Sequence, residues 1–290
     1  MKRWSRYVVA GAAALALLLV PALVSGPSTA GAQACVSGAA PAVDPYPGRT
    51  AVAANFETSS LEGLQLVTAG TGAATLSSAA AHSGTCSIRL HTTTDPGSLA
   101  KVSLALDTQT REIYADGWFN IATEGPVGNN VPYLRIFSGG VRIMDVFRQN
   151  ISHELVLRTT SPQGFTYTSL APNVRDGIWH RLVMHVVPNG PATGVQIWWD
   201  GRSVFESNTI DIRATTADTV QLGSEHDQQK GDIYVDDLVV NGGTGDPVPI
   251  PGVLPAPKPS ILKRPEVDSG SHSGFLAGGR QGWNRQADAT

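Results

Sequence analysis

Tyr133, Arg135 and Phe137 alternate with the apolar Leu134 and Ile136, and Gln196 and Trp198 alternate with Val195, Ile197 and Trp199. Successive side chains of an extended strand point to opposite faces. Each run therefore sets polar or aromatic groups opposite a core-facing set. Arg142, His153, Arg158, Tyr167 and His185 lie on neighbouring segments and could join them. Flat aromatic rings suit the apolar faces of pyranoses, and Arg, Asn and Gln suit hydroxyl and carboxylate groups, so the combined set has the chemistry of a sugar-binding groove. Tyr167 with His153 or His185 would add a phenol and an imidazole, an acid–base pair able to move protons.

Other chemistries lack their marks. The chain has no serine nucleophile elbow, phosphate-binding glycine loop or zinc-protease helix, which weighs against catalysis. Lys plus Arg is 21 against 24 Asp plus Glu, a net charge of -3. The basic residues do not gather into a stripe, so no nucleic-acid partner is expected.

The elements that must position these residues begin after an export segment. Lys2, Arg3 and Arg6 precede an apolar run over 8–24, followed by small residues ending in Ala30-Gly31-Ala32 or Ala32-Gln33-Ala34. This three-part pattern reads 1–34 as a signal peptide, and Pro21 with the small-residue site argues for its removal over an uncleaved anchor. A secreted, extracellular protein without stable membrane insertion is the expectation. Two cysteines in an exported chain invite pairing, which predicts a disulfide between Cys35 and Cys86.

Residues 35–50, with Pro41, Pro45, Pro47 and Gly48, read as an extended lead-in. From 51 to 243, apolar residues recur with period two in short bursts, including Ile88-Leu90, Val102-Leu104-Leu106, Leu182-Met184-Val186 and Val220-Leu222. The period predicts strands. The turn residues Ser138-Gly139-Gly140, Asp176-Gly177 and Asp200-Gly201 predict hairpins between them. A dozen or more strands in this length predict two packed antiparallel sheets, an all-β sandwich. Residues 244–290, rich in Pro and then in Ser, Gly, Gln and Arg, read as a disordered tail.

Several segments carry a family resemblance. Asn55-Phe56-Glu57-Thr58 opens the domain and Asp232-Ile233-Tyr234-Val235-Asp236-Asp237-Leu238-Val239-Val240 closes it. Between them stand Ser83-Gly84-Thr85-Cys86-Ser87-Ile88-Arg89-Leu90, Trp179-His180-Arg181-Leu182 and Val195-Gln196-Ile197-Trp198-Trp199-Asp200-Gly201. The whole resembles the concanavalin A-like, laminin-G-like jelly rolls of secreted bacterial proteins. That resemblance implies a jelly-roll sandwich with its first and last strands side by side. It also implies a structural calcium ion held by Glu57 and Asp236, helped by Asp237, since calcium takes six to eight oxygen ligands. Glycosidases of this architecture carry a Glu-x-Asp-x-(x)-Glu run, and none occurs here. Its lyases carry Arg-x-Glu-Leu and Gln-x-His, of which His153-Glu154-Leu155 is only a fragment.

The expected function is therefore non-catalytic binding of a polysaccharide or glycoconjugate. A polysaccharide lyase or glycoside hydrolase of the same fold is the alternative, and an adhesion protein with a protein partner is the third reading.

Overall fold

The computed structural model describes residues 35, 42–58, 61, 63–122, 125 and 129–243. The export segment and the Pro-rich tail lie outside the described residues. The described chain forms fifteen strands: β1 (Thr50–Ala54), β2 (Gln65–Ala69), β3 (Ala73–Ser77), β4 (Ser87–Thr92), β5 (Leu99–Thr110), β6 (Ile113–Ile121), β7 (Val131–Ser138), β8 (Val141–Arg148), β9 (Leu155–Ser161), β10 (Gly164–Ala171), β11 (Trp179–Val187), β12 (Thr193–Trp199), β13 (Arg202–Ile210), β14 (Ala217–Ser224) and β15 (Gly231–Asn241). Among the described residues there is no α-helix, and hence none long and apolar enough to cross a membrane.

The strands make two antiparallel sheets. One has the order β13-β12-β11-β6-β15-β4-β3, with β1 paired to the far half of β15; the other has the order β10-β9-β8-β7-β14-β5-β2. The first and last strands thus lie side by side, with Ala54 opposite Leu238. The core fills the space between the sheets, because the period-two apolar sets of both face inward. Leu182, Met184, Val186, Val195 and Ile197 from the eight-stranded sheet join Leu134, Ile136, Met144, Val146, Val220 and Leu222 from the seven-stranded sheet. Tyr133 stands edge-on to both Phe119 and Trp199, at 5.3 and 5.4 Å between ring centroids.

Turn chemistry places the hairpins. Asp200 and Gly201, and likewise Gly139 and Gly140, all take positive φ, the backbone of a two-residue turn that matches strand twist. Asp176-Gly177 behaves differently from the expectation. It lies between β10 and β11, which belong to different sheets, so it ends a crossover and closes no hairpin. Arg148 anchors that crossover, donating from Nε to Val174 O at 2.9 Å. Cys35 and Cys86 form the expected disulfide.

Candidate functional site

Register across the seven-stranded sheet builds one row of polar side chains on its outer face. Gln221 stands opposite Arg135, Arg135 opposite Asp145, Asp145 opposite Arg158, and Arg158 opposite Tyr167. Asp145 takes both Nε and Nη2 of Arg158, at 2.7 and 3.1 Å. The Arg158 guanidinium also lies over the Phe165 ring, 5.0 Å from its centroid. Glu225, just beyond β14, accepts from Arg142 Nη1 at 3.1 Å and stands 3.3 Å from Arg135 Nη1. At the edge strand β10 the row opens to solvent: Phe165 is 59% exposed and Tyr167 58% exposed. Three guanidinium groups thus face two carboxylates beside an exposed aromatic pair.

Burial governs the charges here. Arg135 is fully buried, and desolvation lowers its pKa to about 10 despite the neighbouring Glu225 carboxylate. Its Nη2 donates to Gly223 O at 2.6 Å, whereas Nε has no partner, and neither does the buried Oε1 of Gln221. Burial also raises the pKa of Asp145, against the pull of Arg158 and Arg142. For Glu225, burial works against the charged form, yet Arg135 and Arg142 outweigh it and its pKa lies below the ordinary value.

A depressed carboxylate pKa stabilises the fold above the unfolded-state value, about 4.3 for Glu, and this contribution fades as pH falls through the folded-state value. Urea unfolding between neutral pH and acid should therefore show Glu225→Gln losing less stability on acidification than wild type. Parallel curves would show that Glu225 gains nothing from the two arginines.

The structure sorts the sequence-derived candidates into two groups. Arg135, Phe137, Arg142, Arg158 and Tyr167 share the seven-stranded sheet. Phe137, opposite Thr219 and Arg142, is half-buried there. Tyr133 requires a correction. The register shifts between Pro132 and Leu134, and this bulge turns Tyr133 into the core at 1% exposure, where it cannot meet a ligand. His185, Gln196 and Trp198 belong to the eight-stranded sheet, so they do not join the arginine row. The pairing of Tyr167 with His185 is thereby removed. His153, exposed in the β8–β9 turn with φ 59°, is on the same sheet as Tyr167.

Simple alternation missed Asp145, Glu225 and Gln221. Asp145 had a signal, a lone charge inside Ile143-Met144-Asp145-Val146-Phe147, where only a buried partner could keep it. Phe165, two residues before Tyr167, shares its strand face by the same period-two argument.

On the eight-stranded sheet His185 serves a structural network. Its Nε2 lies 3.0 Å from Glu112 Oε1 and its Nδ1 3.3 Å from Gln196 Oε1, while Gln196 Nε2 donates to Glu206 at 3.1 Å. The imidazole stacks on Tyr114 at 4.1 Å, and Tyr114 stacks on Tyr46 of the lead-in at 4.4 Å. Tyr46 Oη donates to Asp116, which also takes Arg181 through two bonds of 2.9 and 2.6 Å.

Glu57, Asp236 and Asp237 hold a loop. Glu57 accepts from the Thr85 N–H, the Cys86 N–H and Thr85 Oγ1, each at 2.7 Å. A Cβ at Gly84 would sit 2.4 Å from Glu57 Oε1, so only glycine lets the loop wrap this carboxylate. Asp236 accepts from the His82, Ser83 and Asp237 N–H groups, and Asp237 meets His82 Nδ1 and Ser83 Oγ. Burial raises the pKa of Asp236 to about 6, the Ser83 N–H opposes this, and the Asp237 charge adds to it. These carboxylates are largely spent on N–H and O–H donors. Among the described residues no three His, Cys, Asp or Glu side chains stand together to hold an ion. The arrangement does not fit the calcium shell expected from the resemblance.

No family model and no curated protein matches the chain. Solved structures do. An endo-beta-1,4-glucuronan lyase from the fungus Trichoderma reesei is similar at TM-score 0.50 and 16% identity, covering 62% of this chain and 92% of its own. A cellulose-induced protein, Cip1, gives TM-score 0.48 and 15% identity, covering 62% of this chain and 91% of its own. A sialidase gives TM-score 0.50 and 9% identity over 68% of this chain and 19% of its own, so this chain spans about a fifth of that protein. At such identities the likeness is one of fold: a concanavalin A-like jelly-roll sandwich shared with carbohydrate-active proteins.

Proposed function

We propose that the protein is a secreted, non-catalytic binder of acidic polysaccharides, and that the outer face of the seven-stranded sheet is its binding surface. The observation that carries this reading is the exposed pair Phe165 and Tyr167 beside Arg158, whose guanidinium is fixed by Asp145 and laid over the Phe165 ring. An aromatic pair offers flat faces to pyranose rings, and a cation fixed beside it adds electrostatic attraction for a carboxylate-bearing sugar. A fold shared with a glucuronan lyase agrees with a uronate-bearing ligand. Tyr167 and His185 lie on different sheets and cannot act as an acid–base pair, which supports binding without cleavage.

Electrophoresis of the protein through gels containing alginate or polygalacturonate tests this. The acidic polymers should retard wild type, added salt should weaken the retardation, and Phe165→Ala or Tyr167→Ala should reduce affinity about tenfold, as loss of an aromatic anchor typically does. Retardation that neither substitution changes would move the surface elsewhere. Appearance of the ultraviolet absorbance of a C=C conjugated to a carboxylate, abolished in Tyr167→Phe, would make the protein a lyase.

A further inference from the structure

The seven-stranded sheet ends in an open strand. β10 stands last in the strand order, and its eight residues, Gly164-Phe165-Thr166-Tyr167-Thr168-Ser169-Leu170-Ala171, hold no charge and no proline. Edge strands are ordinarily guarded by charges, proline or a covering segment, because their unpaired backbone groups invite another strand. The edge strand β13 of the other sheet has such guards in Arg202 and Glu206. β10 has none, and Gly164, Phe165, Thr166 and Tyr167 are all exposed, on both faces of the strand.

Register fixes which backbone groups face outward. Pro162-Gln163 is a two-residue turn that pairs Ser161 with Gly164, and the same ladder pairs Thr159 with Thr166 and Leu157 with Thr168. Every second pair of an antiparallel ladder exchanges both hydrogen bonds, so the N–H and C=O groups of Phe165, Tyr167 and Ser169 point away from β9. Among the described residues no group meets them. These three donors and three acceptors are met in full by the same edge of a second copy, related by a two-fold axis at Tyr167. Tyr167 then faces the partner's Tyr167, and Phe165 faces the partner's Ser169.

Charge favours that occupant over an unrelated strand and sets its direction. Arg213 stands at the turn end of β10, donating from Nη2 to Pro162 O at 3.2 Å, and Glu154 stands at the other end, accepting from Ser169 Oγ at 3.2 Å. Neither has an ion-pair partner among the described residues. Antiparallel pairing brings the Arg213 end of each copy against the Glu154 end of the other. We propose that the protein forms a two-fold dimer through β10, which joins the two seven-stranded sheets into one. Such a contact uses up both edges and closes at two copies.

A two-fold axis normal to the sheet keeps both outer faces on one side. The row of Arg135, Asp145, Arg158 and Tyr167 in each copy therefore continues into its counterpart across the Tyr167 pair. A polymer crossing the axis touches both rows, and its second contact is made at the effective concentration of a linked site. This gain in binding rests on the acidic-polysaccharide reading, whereas the dimer itself does not.

Sedimentation equilibrium of the full chain, with no sugar present, tests the dimer. Wild type should sediment with twice the chain mass and dissociate on dilution. Ser169→Pro removes an outward N–H and no bond to β9, so its far-ultraviolet dichroism should match wild type. Its dissociation constant should rise about tenfold, the effect of two hydrogen bonds lost across the axis. Glu154→Arg and Arg213→Glu should each raise the constant severalfold, and the two together should restore it. Should Ser169→Pro lose its fold, this rescue decides alone. Wild type at the mass of one chain throughout overturns the proposal, as does a dimer that Ser169→Pro leaves intact. A dimer lost in Ser169→Pro but indifferent to both reversals overturns the antiparallel orientation and with it the joined face. Retardation by alginate is read separately, so a protein that dimerises yet binds no acidic polymer sinks only the glycan reading.

Discussion

Asp145→Ala is expected to destabilise the fold by about 3–5 kcal/mol, the range for breaking a buried ion pair by removing one partner. Asp145 is 4% exposed and is the carboxylate that both fixes Arg158 and faces the buried Arg135. Without it, three guanidinium groups share one face with Glu225 alone. The penalty is the cost of leaving Arg135 and Arg158 desolvated and under-compensated. Replacing Arg135 itself has a different sign of argument. Arg135→Met removes a fully buried charge whose Nε makes no bond, and it leaves Asp145 paired with Arg158 and Glu225 paired with Arg142, so no buried carboxylate is stranded. Urea midpoints for the two variants therefore separate, with Asp145→Ala far below wild type and Arg135→Met near it. A loss under about 1 kcal/mol in Asp145→Ala would mean that solvent screens the cluster far more than its burial implies.

The same variant tests how the proposed surface for acidic glycans works. Asp145→Ala makes the face more positive, so binding driven by charge alone would tighten. Binding that depends on Arg158 being held over Phe165 would weaken, because the guanidinium must then be ordered by the ligand itself. The proposed function expects weakening in the gel assay at a temperature where the variant remains folded.

Period-two alternation made the sandwich legible, since Leu182, Met184 and Val186 or Val195, Ile197 and Trp199 leave little choice of face. It failed at bulges. One extra residue near Tyr133 reverses the phase of β7 locally, and no residue type in Val131-Pro132-Tyr133-Leu134 announces it. Asp237, at φ 47°, marks a similar shift in β15, where the register slips between Asp236 and Val239. Sheet membership was a second gap. Alternation says that His185 and Tyr167 each leave the core, but it cannot say from which sheet. That depends on long-range pairing, settled by the crossover between β10 and β11. The candidate site was therefore legible residue by residue in Arg135, Arg142, Arg158 and Tyr167, and illegible as a constellation, because Asp145 and Glu225 join it only through cross-strand register.

Removing the disulfide is the second large expected effect. Cys35 and Cys86 are 51 residues apart, and the loop-closure model gives about 4 kcal/mol for a cross-link of that span. Asp44 and Tyr46 of the lead-in are held by contacts of their own. Asp44 accepts from Asn241 Nδ2 at 2.6 Å and from Thr50 Oγ1 at 2.5 Å, and Tyr46 is held by Asp116 and by stacking on Tyr114. Cys86 is likewise fixed by its N–H on Glu57. The folded states with and without the bond should therefore be nearly the same, and the loss should come from the unfolded chain gaining freedom. Two observables follow in Cys35→Ala/Cys86→Ala. The unfolding free energy should fall by about 4 kcal/mol, and the denaturant slope should rise, because an unlinked chain exposes more surface on unfolding. A loss of that size with an unchanged slope, accompanied by altered near-ultraviolet dichroism from Tyr46 and Tyr114, would instead place the contribution in the native packing of the lead-in.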